Sequence, residues 1–401
     1  MRVAIIGGGA AGFFALNSIL QHHPDADVTL FEKSNKLLSK VKISGGGRCN
    51  ATHASESISS LASNYPRGAK FLKKSFHQFW VPNTIDWFKE RGVDLVEESD
   101  GRMFPSTNKS ESIIRALTDH IDGKYRLELN ATITSIQRNG EQWAITINQS
   151  NEVFDKVIIA SGGASKAKSL AWLEPLQLNL VPPVPSLFTL NIHDAELHAL
   201  KGLSVPMGHV KLAGSKLKTK GPILITHWGL SGPSVLKLSA VGALELADMM
   251  YDFNVLINWI GIGEEEVISI IRNLQQTSSK RVANQPMSGL PARLWKYLLK
   301  RADVNDDKPW SALNKKERNR LASTLTACEF HVKGKTTFKE EFVTAGGIDL
   351  GEVNPNTMEL RKHQGVYAAG EVLNIDGVTG GFNFQAAWTT GFIAGKLTTS
   401  V

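Results

Sequence analysis

Cysteine is almost missing from this chain: Cys49 and Cys328 are the only two among 401 residues, too few for a disulfide scaffold. Neither forms a Cys-x-x-Cys pair, which argues against a dithiol redox centre. A long apolar run is missing too. The best candidate, Val241 to Ile262, is broken by Glu245, Asp248 and Asp252 and does not read as a membrane span. The chain has no internal repeat and no low-complexity tract, and no metal site is expected. Arg2 ahead of an apolar stretch imitates a signal peptide, but the glycines that follow mark the end of a strand, so a cytoplasmic protein without membrane contact is expected. What is present is 42% hydrophobic and 21% charged, the make-up of a globular chain long enough for two or three domains.

Glycine is placed with purpose. Arg2-Val3-Ala4-Ile5-Ile6 reads as a buried parallel strand and runs into Gly7-Gly8-Gly9-Ala10-Ala11-Gly12, with a helix expected from Ala10 to Leu20. In such a turn Gly7 makes the bend, Gly9 admits a pyrophosphate and Gly12 lets helix and strand approach. A second strand, Val28 to Phe31, ends at Glu32, where a carboxylate can accept hydrogen bonds from an adenosine ribose. Asp155 to Ala160 and Gly365 to Ala369 are further buried strands, ending in Gly162-Gly163 and Gly370-Glu371. Three strands ending in glycine fit one sheet whose carboxyl edge faces one ligand. A nicotinamide dinucleotide fold would not need the third, so FAD is preferred. Glu371 is read as reaching the ribityl-phosphate part of FAD. The helix expected from about Phe384 to Leu397 would aim its dipole and the amides near Asn383, Phe384 and Gln385 at the pyrimidine edge of the flavin.

The Pro-rich stretch Val181 to Pro185 reads as a linker. Beyond it, β structure is expected to about Ala240. Helix is expected over Gly263 to Arg301, with Val267, Ile270, Ile271 and Leu274 on one face. The α/β character returns near Thr336. The expected organisation is therefore a discontinuous FAD-binding domain, 1–190 and 336–401, interrupted by a β-rich insert, 191–335, that carries a helical subdomain at about 263–301. Charge follows the same division: residues 191–335 hold 20 Lys and Arg against 13 Asp and Glu, and the rest holds 25 of each. A basic insert points to an anionic macromolecule or substrate tail, with a solvated basic face as the alternative. Lys211, Lys216, Lys218 and Lys220 form one cluster; Lys315, Lys316, Arg318 and Arg320 form another.

Five segments now become specific. They are Ser44-Gly45-Gly46-Gly47-Arg48-Cys49-Asn50, Gly101-Arg102-Met103-Phe104-Pro105-Ser106, Thr226-His227-Trp228-Gly229-Leu230-Ser231-Gly232-Pro233, Val343-Thr344-Ala345-Gly346-Gly347, and Gly370-Glu371-Val372-Leu373-Asn374-Ile375-Asp376-Gly377 continuing to Gly380-Gly381-Phe382-Asn383-Phe384-Gln385. Together, in order along nearly the whole chain, they resemble the bacterial BaiN-like (YhiN-like) family of FAD-dependent oxidoreductases. The resemblance implies a Rossmann-like FAD-binding domain of the disulfide-reductase-like flavoprotein type, with a β-barrel-like insert and a small helical subdomain. Two departures stand out: Asn374 replaces the family's usual Asp, and Lys166-Ala167-Lys168-Ser169-Leu170 follows Gly163-Ala164-Ser165 in place of more glycine. The second is expected to reshape the entrance to the site.

The expected cofactor-binding residues are Gly7, Gly9, Ala11, Gly12, Glu32, Lys33, Lys40, Ser44, Gly45, Gly46, Arg48, Cys49, Asn50, Ala160, Gly162, Gly370, Glu371, Gly381, Asn383 and Phe384. Three residues are candidates for proton transfer. Cys49 lies beside Arg48, a cation that would favour the thiolate, although a packed structural thiol is the alternative. His227 either faces the flavin from the insert or braces its own turn. Asp376 is either a general acid or a turn former beside Gly377. Lys40 and Lys42 either hold an anionic substrate or form a solvated face. No second Gly-x-Gly-x-x-Gly follows a strand, so NAD(P)H, as electron donor, would dock transiently. The family is linked to reduction of activated carbon–carbon double bonds and to oxidation of small amines. With the basic insert, the reading is reduction of such a bond, specifically in a uracil base of ribosomal RNA. The alternatives are a small-molecule reductase or oxidase, and a flavin-bearing RNA-binding factor without turnover.

Overall fold

The computed structural model describes residues 1–164, 166–336 and 343–398. The chain divides into two units, Met1–Ser186 with Lys339–Val401, and Leu187–Phe338.

In the first unit Val3, Ala4, Ile5 and Ile6 are all buried, the pattern of a strand covered on both faces rather than an alternating one. Arg2–Ile6 is accordingly central in a six-stranded sheet. The order runs Glu359–Leu360, His363–Ala368, Lys156–Ile159, Arg2–Ile6, Asp27–Glu32, Arg126–Leu129. All neighbours except the first, antiparallel pair run parallel, so the strands ahead of Gly7, Gly162 and Gly370 are adjacent and point the same way. The first helix, Ala10–His22, packs closely on the last, Phe382–Gly395. A Cβ at Gly391 would stand 2.6 Å from the Ala11 carbonyl oxygen, so only glycine allows that crossing.

The expected proline linker is instead a strand. Leu180–Ser186 pairs antiparallel with Val343–Ile348, and the register slips between Val181 and Val184, which leaves Pro182 and Pro183 out of the ladder. That pairing holds the chain in the first unit as far as Ser186. The insert therefore begins a few residues before 191.

In the second unit six strands close a barrel in the order Thr189–Ile192, Gly229–Ser231, Lys218–Ile225, Ser204–Leu212, Asp252–Asn258, Cys328–Thr336. Leu190, Val210, Ile223, Leu230, Val255 and Ile257 fill it. Helices Glu264–Thr277 and Ala292–Arg301 lie in the expected helical stretch, with Val267 and Ile271 buried and Ile270 and Leu274 partly so. A third, Lys315–Ala327, was not anticipated. Its signal was legible: Asn314 accepts the Glu317 amide at 2.9 Å and Glu317 returns the bond to the Asn314 amide at 2.9 Å, a capping box. Among the described residues no helix is long and apolar enough to cross a membrane.

Candidate functional site

The three glycine turns meet at the carboxyl edge of the sheet. A Cβ on Gly12 would overlap the Gly7 carbonyl oxygen, and one on Gly370 would stand 2.7 Å from the Ala11 Cβ. At Gly9 an added Cβ meets nothing within 4 Å. Gly12 thus serves the protein's own packing, whereas Gly9 borders open space. That space lies at the amino end of Ala10–His22, whose first turn carries no acid and whose first amides lack intrahelical acceptors. Such a cradle suits an anionic diphosphate.

Two carboxylates flank it. Glu32 accepts the Gly8 amide at 3.0 Å on one oxygen, and the Ser34 amide and hydroxyl at 2.9 and 2.8 Å on the other. A carboxylate has about four acceptor positions, so one is left for a ribose hydroxyl. The cavity beside it is lined by Gly7, Glu32, Lys33, Gly162, Gly163 and Leu170, and also by Ala131, Ile133 and Trp172, which sequence reasoning missed. Leu170 and Trp172 belong to the 3-10 helical segment Ala167–Leu176. The departure at Lys166 to Leu170 therefore shapes this cavity wall. Ser165 lies outside the described residues.

Glu371 accepts the Thr344 amide and hydroxyl at 3.0 and 3.1 Å and pairs with Lys40 at 2.6 Å. The Lys40 side chain is 45% exposed and its ammonium is held at Glu371, beside the third turn. A Cβ on Gly163 would overlap the Thr344 hydroxyl, so the second turn, the third turn and the Val343–Ile348 strand are mutually fitted. Asn374 adds a tie, accepting the Gly346 amide at 3.1 Å. This departure from the family's Asp braces backbone.

The Ser44 to Asn50 loop joins the start of the last helix. Gly45, Gly46 and Cys49 have φ of 59°, 69° and 60°, a left-handed bend. The Asn50 side chain, oriented to satisfy both neighbours, accepts the Gly381 amide at 3.0 Å and donates to the Thr52 carbonyl at 3.0 Å. Asn383 clamps both backbone groups of Gly377, at 2.8 and 3.1 Å, and Phe384 stacks on Trp388 with rings 12° from parallel. The Gln385 side chain is buried and accepts the Thr52 and Thr84 hydroxyls at 2.6 and 2.9 Å, and its backbone amide already donates to the Gly381 carbonyl at 3.1 Å. What the helix start presents is its backbone amides.

Two proton-transfer expectations need correction. Cys49 is fully buried, and burial pushes its thiol up to about 12, with the Ser44 side chain opposing only in part. Arg48 does not supply the thiolate-stabilising charge: it pairs with Glu98 at 2.7 Å and covers the Phe104 ring at 3.8 Å. Above pH 9 an unfolded thiol ionises while this one stays protonated to about 12, so its contribution to stability falls as pH rises through that window. Cys49→Ala should lessen the loss of stability between pH 9 and 11 seen in urea titrations, and native Cys49 should resist iodoacetamide at pH 8. Rapid alkylation of the folded protein there would contradict this. Asp376 is likewise fully buried; burial raises its pKa, while Arg67, which grips both its oxygens, and the Ser186 hydroxyl at 2.8 Å act the other way. It is half of an internal ion pair, not an exposed acid or a simple turn former.

In the second unit His227 is exposed, its ring centroid 4.6 Å from that of Trp228. Lys211, Lys216, Lys218 and Lys220 are all exposed. In the other cluster Arg320 is neutralised by Asp303 at 3.0 Å, while Arg318 keeps its charge and donates to the neutral Gln275 amide.

These glycine turns, acids and amides fit a flavin dinucleotide, and comparison with known proteins agrees. The family model described as HI0933-like protein Rossmann domain matches residues 1–397. Ribosomal RNA dihydrouridine synthase of Escherichia coli (strain K12) is 29% identical over 399 residues, 96% of this chain and 95% of that protein. The 3-dehydro-bile acid delta(4,6)-reductase of Clostridium scindens is 25% identical over 409 residues, 98% of each. Among solved structures, 3-ketosteroid delta1-dehydrogenase from Sterolibacterium denitrificans aligns over 98% of each chain at 12% identity, with a TM-score of 0.48.

Proposed function

We propose that this chain, which belongs to the HI0933-like Rossmann family of FAD-dependent oxidoreductases, reduces an activated carbon–carbon double bond, and that its substrate is a uracil base in ribosomal RNA. Both full-length relatives carry names that describe a reduction, one on ribosomal RNA. The observation that favours RNA over a small molecule is the insert: all of the chain's +7 charge lies within 191–335.

Reduced FAD, when bound, supplies the hydride. Around it, Gly9 and the amides opening Ala10–His22 would hold the diphosphate, and Glu32 the adenosine ribose. Glu371, fixed by Thr344 and Lys40, would meet the ribityl side. The amides that open Phe382–Gly395 would face the pyrimidine edge and favour negative charge there. The ring reduction also consumes a proton. It comes from solvent in this reading, because Cys49 is buried and Asp376 is held by Arg67. NAD(P)H would return the electrons by docking transiently.

The test is anaerobic. FAD-loaded protein is photoreduced and mixed with ribosomal RNA from cells lacking the gene. Flavin reoxidation with matching dihydrouridine by nucleoside mass spectrometry is expected. Reoxidation by an unsaturated ketone but not by RNA would favour the small-molecule reading that the second relative suggests.

A further inference from the structure

The barrel presents one ribbon, Ser204–Leu212 paired with Lys218–Ile225, whose outer face changes character along its length. Ile223 and Ile225 point inward and are buried, whereas Lys218, Lys220, Pro222 and Leu224 point outward and are exposed. Across the ladder Lys211 stands opposite Lys218, and His209 opposite Lys220. Lys216 lies in the turn between the strands. Like charges directly opposite one another weaken a sheet unless something outside compensates them. Among the described residues no ion pair involves any of these four lysines. The field is felt locally: burial, then Lys218 and Lys220, hold His209 below the usual imidazole range.

Toward the other end the same face is apolar. Met207 is 57% exposed, Leu224 36% and Trp228 45%. Trp228 follows the Lys218–Ile225 strand in a tight turn, where the Thr226 amide donates to the Gly229 carbonyl at 2.8 Å. The Trp228 carbonyl accepts the Ile192 amide at 2.9 Å. Its backbone is therefore fixed to the barrel while its indole, with His227 beside it, stays in solvent. A basic track leading to a rigid exposed aromatic is what single-stranded nucleic acid requires: cations for the backbone and a flat face for an unstacked base. An acidic protein partner would use the lysines but would leave the indole without a role.

We propose that the outer face of this ribbon binds a single-stranded RNA segment, its phosphates along Lys211, Lys216, Lys218 and Lys220 and an unpaired base on the Trp228 indole. This rests on the reading of RNA as substrate, but binding is tested apart from turnover. The full FAD-loaded protein is titrated against a fluorescein-labelled twelve-nucleotide oligouridine by anisotropy at several salt concentrations. Trp228→Ala should weaken binding by about 5- to 150-fold with the salt slope unchanged. Lys218→Gln with Lys220→Gln should lower the slope by about 0.7 for each phosphate that is no longer neutralised. Circular dichroism and flavin absorbance confirm that each variant is folded and loaded. Unchanged affinity in the first variant, an unchanged slope in the second, or equal competition by a polyglutamate peptide would overturn the proposal. Oligouridine binding that follows these rules while ribosomal RNA stays unreduced would leave the ribbon assignment standing and remove the proposed reaction.

Discussion

Gly9→Val is expected to yield a folded protein that purifies without flavin and takes up none when FAD is added. Gly9 has φ −100°, which valine tolerates, and its Cβ would meet no protein atom within 4 Å, so the fold has no reason to suffer. The methyl groups would fill the space read as the diphosphate site. Gly12→Val should behave differently. Its side chain would overlap the Gly7 carbonyl oxygen, so the turn itself must open and thermal stability should drop with flavin content. Flavin per protein and melting temperature, measured on both, separate the two roles. Full flavin retention by Gly9→Val would mean that the turn does not hold the cofactor.

The second large effect concerns stability. Asp376→Ala leaves Arg67, whose side chain is only 13% exposed, without the carboxylate that its Nε and Nη2 grip. Removing one partner of such a buried pair costs about 3–5 kcal/mol, because the remaining charge stays desolvated. Urea unfolding should show a loss of that size, and replacing both residues together, Arg67→Met with Asp376→Leu, should recover most of it. A loss below about 1 kcal/mol for the single variant would show that water reaches Arg67 and that the pair is not sealed.

The parts legible in the sequence were those where backbone chemistry dictates residue type. Gly7, Gly9 and Gly12 with Glu32 marked a dinucleotide turn because few other residues fit there. The burial of Val3 to Ile6 followed from an unbroken apolar run. What could not be read were pairings between distant segments. Nothing local in Val181 to Pro185 shows that a register slip will let prolines sit in a strand beside Val343–Ile348. The partners that decide a side chain's chemistry were equally hidden: Arg67 for Asp376, Glu98 for Arg48, Lys40 and Thr344 for Glu371. Adjacency misled at Cys49, since the neighbouring cation turns to Glu98 and burial governs the thiol. Lys315–Ala327 is different, because its capping residues Asn314 and Glu317 were there to be seen.

The most direct test of the central claim compares nucleosides in ribosomal RNA from cells that have the gene, cells that lack it, and deleted cells resupplied with either the native chain or Gly9→Val. Mass spectrometry should find a uridine carrying two extra hydrogens only where the native chain is present, and Gly9→Val should fail to restore it. The same dihydrouridine content in all four RNAs would contradict the account.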